Sequence, residues 1–121
     1  MNLEKIKGDF SICKVADMKH IDFSKELLFF AKTPDEISLV CETAHAPSEH
    51  LAVEHGWKTL KVSGMLDFGM VGVIAKISNI LATAGISLFV VSTYNTDYIL
   101  LKAENLDHGV QLLLSQGYTV S

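Results

Sequence analysis

An α+β fold is predicted for this 121-residue chain by three features of its sequence. Residues 70–83 carry apolar side chains at spacings of three and four and stop at Gly85, the pattern of an amphipathic helix. Short apolar runs separated by clusters of Gly, Pro, Asn and Asp read as strands and turns. From Lys58 onward the order is strand, helix, strand, strand, helix, strand. That is the ferredoxin-like split βαβ order (βαββαβ), an antiparallel sheet with both helices on one face.

Each element has its own justification. Residues 3–6 alternate weakly and suit an edge strand, and 10–15 alternate clearly with β-rich composition. The polar stretch 16–25 has room for one helical turn but not for a crossover helix. Residues 26–32 and 37–42 form a hairpin around the turn chemistry of Thr33, Pro34, Asp35 and Glu36. Residues 46–55 read as a short helix, with Pro47 at its first position and Gly56 as its stop. A strand over 57–62 leads into the helix of 70–83, whose stripe is Val71, Ile74, Ile77, Ile80 and Leu81. The near-continuous apolar run 86–92 is expected at the centre of a sheet. A polar turn at 93–97 returns the chain through strand 98–102. A helix capped by Asn105 or Asp107 runs to Ser115, and 118–120 closes as a strand.

The hairpin FFAKTPDEISLVCE (29–42) parallels FVVSTYNTDYILLKAE (89–104), and each is followed by Gly plus an aromatic residue, Gly56-Trp57 and Gly117-Tyr118. Two related units follow from this, a degenerate one over 1–56 and a fuller one over 57–121. Both lay claim to strand 57–62. Either segment 3–6 supplies a missing strand or the units share or exchange one.

Composition narrows the function. With 49% hydrophobic and 20% charged residues the chain can bury a core, and a net charge of −4 argues against a nucleic-acid partner. Arginine is absent, so a ligand carboxylate falls to backbone N–H groups or lysine. Cys13 and Cys41 lack CxxC spacing and read as small buried residues of a reducing compartment. No apolar run reaches the length of a membrane span, and charges occupy the place of a signal peptide's apolar region; a soluble, cytoplasmic protein is expected. His45, His50 and His55 recur every five residues, a spacing that scatters them around a helix, so no metal site is expected. No nucleophile elbow, Walker lysine or Gly-x-Gly-x-x-Gly is present. Neither catalysis nor a cofactor is expected.

Two polar clusters stand out. The turn GMLDFGMVG (64–72) offers backbone N–H groups at a helix start beside Asp67, which suits an anion together with an ammonium. On residue grounds two readings stand: Asp67 salt-bridges a ligand, or it is only the helix cap. STYNTD (92–97) places more polar groups at a strand end than a tight turn needs; a long hairpin loop is the other reading. In the split unit the first strand and the strand after the first helix are expected adjacent and parallel, bringing both clusters to one sheet edge.

These segments, with LATAGIS (81–87), resemble an ACT domain, and more narrowly the small tandem-ACT proteins related to the CASTOR sensors. The resemblance implies amino-acid binding without catalysis, at an interface between two units. It assigns Asp67 to the ligand's amino group and the N–H groups of Gly69, Met70, Val71 and Gly72 to its carboxylate, with Phe68 also among the ligand-binding residues. Ser92, Thr93 and Tyr94 line the pocket, and Asp97 stands at its rim. The partners implied are an amino acid or similar zwitterion, and a second copy or another protein joined through sheet edges or helix faces. The alternative is an interaction or oligomerisation domain without a ligand.

Overall fold

The computed structural model describes residues 1–64 and 70–121. In chain order the strands and helices are β1 (Asn2–Val15), β2 (Leu28–Lys32), β3 (Ile37–Glu42), β4 (Ala52–Val62), α1 (Val73–Thr83), β5 (Phe89–Ser92), β6 (Asp97–Lys102), α2 (Leu106–Ser115) and β7 (Thr119–Val120). One-turn 3-10 helices at Thr43–His45 and Ala103–Asn105 follow β3 and β6. The chain divides into two compact units, Met1–Lys7 with Lys58–Ser121, and Gly8–Trp57. Strands β1 and β4 each run from one unit into the other.

In the first unit the strand order is β7-β1-β4-β6-β5. Two expectations are corrected here. The strand after α1, β5, lies at the end of this order rather than at its centre, and β6 separates it from β4. A helix about 10 Å across spans two strand spacings of about 4.8 Å, so the crossover through α1 skips one position, which the returning β6 fills. The N-terminal segment enters between β4 and β7, and β7 pairs with it in parallel, Asn2 opposite Thr119 and Leu3 opposite Val120. The Asn2 amide donates to Ser63 Oγ at 2.8 Å, and its carbonyl oxygen accepts from the Thr119 hydroxyl at 2.8 Å.

The core of this unit joins both helices to one face of the strands. Leu60 and Val62 of β4 alternate inward, as do Ile99 and Leu101 of β6. They meet Ile77 and Leu81 of α1, Leu113 of α2, and Leu3. Helix α1 begins at Val73, three residues later than predicted, because Gly72 holds the N-cap position at φ 78°, a left-handed conformation that costs glycine little. Val71 therefore leaves the apolar stripe and is 91% exposed.

In the second unit the order is β2-β3-β1-β4. Its core is small: Cys13, Val15, Ile21, Leu39 and Cys41. The predicted helix over 46–55 is not formed. Leu51 N–H instead donates to the Lys14 carbonyl at 2.7 Å, and β4 begins at Ala52. The thin apolar face of 46–55 gave a helix little to bury, and backbone pairing with β1 prevails. Gly56 sits inside the strand at φ 85°, absorbing a local kink rather than ending a helix. His45, His50 and His55 consequently share no helix: His50 meets the Pro47 carbonyl at 3.1 Å, and His55 Nδ1 lies 2.7 Å from Ser11 Oγ. Cys13 and Cys41 are buried free thiols in mutual contact, and burial pushes the Cys41 thiol up to about 12.

The two hairpins have the same register. Phe29 pairs with Val40 and Lys32 with Ile37; 60 positions on, Phe89 pairs with Leu100 and Ser92 with Asp97. In each turn a threonine N–H donates to the carbonyl three residues ahead at 2.9 Å, Thr33 to Glu36 and Thr93 to Thr96.

Candidate functional site at the strand–helix turn

The site is built where β4 ends, α1 begins and the β5–β6 hairpin turns. Helix α1 starts from glycine, with no side-chain cap among the described residues and no acidic residue in its first turn. The N–H groups of that turn have no intrahelical acceptors, and together with the helix dipole they present a partial positive charge.

Opposite stands the 93–96 turn. The Thr93 hydroxyl donates to the Thr96 carbonyl at 2.9 Å and accepts the Thr96 N–H at 3.4 Å, which closes the turn on itself. The Thr96 hydroxyl, on a side chain only 4% exposed, donates to the Val62 carbonyl at 2.7 Å. That bond moors the turn to the last residue of β4. The remaining polar groups of the turn, on Ser92, Tyr94 and Asn95, stay exposed.

A cavity of about 370 Å³ lies between the two, lined by Met70, Gly72, Val73, Ile74 and Ala75 on one side and by 92–97 on the other. Met70, Gly72, Ser92, Thr93, Tyr94 and Asp97 of the predicted set thus come together, although β4, which leads into α1, and β5 are not neighbours. Asp97 is the one carboxylate among the described residues of that lining. Val71 faces the other flank of α1, where it borders a groove of about 600 Å³ with Lys76, Ile80 and Tyr118. Asp67, Phe68 and Gly69 lie outside the described residues. The N-cap position of α1 belongs to Gly72.

Sequence reasoning missed a second cavity of about 280 Å³, lined by Lys61, Gly64, Thr93, Asn95, Thr96 and Tyr98. The Lys61 ammonium stands 6.0 Å from the centroid of the Tyr98 ring. Period-2 alternation carried the signal: with Leu60 and Val62 in the core, Lys61 has to face away from it. In the other unit, Val15, Asp17, His20, Ile21, Glu49 and His50 are among the residues lining a cavity of about 250 Å³, across which His20 and Glu49 approach to 3.1 Å. Among the described residues no three His, Cys, Asp or Glu side chains are grouped to hold a metal ion. Nor is any described helix long and apolar enough to cross a membrane.

Two helices on one sheet face, with a cavity at the first strand–helix turn, give this unit an α+β architecture of the ferredoxin-like kind. Residues 52–115 match the ACT domain family model, more than half of the chain, and the chain belongs to the ACT domain family. ACT domains are regulatory, non-catalytic modules that bind small molecules. Among solved structures it is similar to a protein from Agrobacterium tumefaciens, with 27% identity and a TM-score of 0.87, covering 99% of this chain and 91% of that one. A protein of unknown function from Vibrio cholerae matches at 23% identity and a TM-score of 0.73, covering 92% and 85% of the two chains. The regulatory subunit of aspartate kinase from Thermus thermophilus matches at 8% identity and a TM-score of 0.68, covering 97% and 98%. The last two likenesses are of fold alone. A comparison with curated proteins finds no match.

Proposed function

We propose that this chain is a non-catalytic sensor or regulatory module that binds an amino acid or a similar small zwitterion at the strand–helix turn 64–72. The observation that carries this reading is the cavity of about 370 Å³ that faces the first turn of α1, uncapped among the described residues, toward Ser92, Thr93, Tyr94 and Asp97. Backbone N–H groups at a helix start suit the ligand carboxylate in a chain without arginine. Asp67 and Asp97 are the carboxylates available to its ammonium, with Asp67 assigned that role by family resemblance. Phe68, Gly69, Met70, Val71 and Gly72 complete the turn in this reading.

The same reading makes the chain a tandem of two ACT-like units, the first degenerate, in the manner of the small proteins related to the CASTOR sensors. Support comes from the two hairpins of identical register 60 positions apart, each followed by a one-turn 3-10 helix, which only the second continues into an α-helix, α2. A cytoplasmic setting and a partner, either a second copy or another protein, belong to the same proposal.

One observation favours the second reading, an interaction domain without a ligand. Val71, 91% exposed, borders the groove of about 600 Å³ on the far flank of α1, where a protein partner could bury it.

A thermal-shift screen of the twenty amino acids separates the two. A ligand at 100 times its Kd adds roughly 2.7 kcal/mol of stability, several degrees for a domain of this size. Asp97→Asn and Asp67→Ala are expected to shrink the shift. No shift with any amino acid rejects ligand binding in favour of the interaction domain.

A further inference from the structure

We infer that Lys61 receives the ligand's side chain and selects an amino acid whose side chain is itself a carboxylate; this rests on the amino-acid-binding reading above. Thr93, Asn95 and Thr96 line both the cavity at the start of α1 and the one containing Lys61, so the two adjoin along the 93–96 turn. Their charges are segregated. Among the described residues Asp97 is the only ionised side chain lining the first cavity, and Lys61 the only one lining the second.

Lys61 is half-buried as a residue, its ammonium lies 6.0 Å from the centroid of the Tyr98 ring, and no carboxylate of the described residues forms an ion pair with it. A ring face compensates a cation only partly, whereas an arriving carboxylate adds a charge-assisted hydrogen bond. The side-chain amide of Asn95 lines the same cavity and offers a neutral donor for the second carboxylate oxygen.

The charges of the two cavities can then be matched to a ligand group by group. A zwitterion's ammonium is answered by Asp67 or Asp97 and its α-carboxylate by the first turn of α1, so neither needs Lys61. The positive charge left over matches a third, negative group. A cationic side chain would meet Lys61 as a like charge, and a neutral one would leave its charge unanswered.

Calorimetric titration of the full chain with aspartate, asparagine, glutamate and glutamine tests this. One acid is expected to bind at least about tenfold tighter than its own amide, the scale of one charge-assisted hydrogen bond. Lys61→Met should bring that ratio close to one, while Lys61→Arg, which keeps the charge, should preserve it. An acid and its amide binding the wild-type chain alike, or a preference that survives Lys61→Met, overturns the inference and leaves amino-acid binding standing. Silence from all four, with a shift from another amino acid in the thermal screen, overturns the inference alone; silence from all twenty overturns both.

Discussion

The Thr96 hydroxyl donates to the Val62 carbonyl at 2.7 Å, and this single bond ties the hairpin turn to the end of the strand that opens the site. The two residues are 34 apart in sequence, and the bond adds a side-chain tie at the end of the paired strands β4 and β6 that local turn chemistry does not supply.

Thr96→Val is isosteric and removes only the hydroxyl. With the side chain 4% exposed, the orphaned Val62 carbonyl is expected to cost about 1–2 kcal/mol, measured by urea unfolding. Unchanged stability would mean that the turn is held by its own internal hydrogen bonds and not by this mooring.

Thr59→Val should have the opposite sign. The Thr59 hydroxyl is buried, 2% exposed, without a hydrogen-bond partner among the described residues. Replacing it with a methyl group of the same shape removes a desolvation penalty and is expected to stabilise the chain by up to about 1 kcal/mol. A lower urea midpoint for Thr59→Val than for the wild type refutes this.

Gly109 sets how closely α2 approaches the sheet. A Cβ there would lie 2.9 Å from Leu101 Cδ1 and 3.4 Å from Leu81 Cδ2, both on fully buried side chains. Overpacking typically costs about 1–3 kcal/mol, so Gly109→Leu should destabilise by at least that much despite its better helix propensity. A melting temperature equal to wild type would show that the helix can step back at no cost.

The buried thiols predict an alkaline limit. The Cys41 thiol is held up to about 12 by burial and then by neighbouring Cys13, against an ordinary value of 9.0. The folded state thus keeps a proton that the unfolded chain releases. This contribution is fully present below about pH 9 and is lost as pH rises toward 12, at up to about 1.4 kcal/mol per pH unit. Cys41→Ala, though weaker overall, should flatten the slope of stability against pH above 9. A thiol reagent at pH 8 should react with Cys13 and Cys41 only at the rate of unfolding; rapid labelling of the native chain would contradict this.

Much of the fold was legible because local signals agreed with the tertiary outcome. Thr33 and Thr93 announce their hairpins by turn chemistry, and Ile77 and Leu81 announce α1 by period. What was not legible depended on long-range pairing. Residues 46–55 carry Pro47 and Gly56 where a helix would want them, yet Leu51 is bonded to Lys14 in β1 and the chain extends. The place of β5 at the end of its unit's strand order was hidden because Phe89, Val90 and Val91 are apolar enough for a central strand. The pocket's two clusters were identifiable, but the reason offered for their meeting was strand adjacency. The meeting instead spans β6 and the Thr96–Val62 bond. Lys61 escaped notice because a single lysine in an apolar strand reads as a solvated position.

The discontinuous composition of the first unit bears on how this molecule can be taken apart. Its first seven residues complete a body otherwise made from its last half, with Leu3 in the core and Asn2 clasping Ser63 and Thr119. No single backbone cut separates the chain into two self-sufficient pieces. A C-terminal fragment beginning at Trp57 leaves an open slot between two strands, into which any extended peptide of suitable pattern could add itself. Domain-swapping and fragment-complementation experiments should therefore regard residues 1–7 as a detachable plug, one that could be supplied in trans.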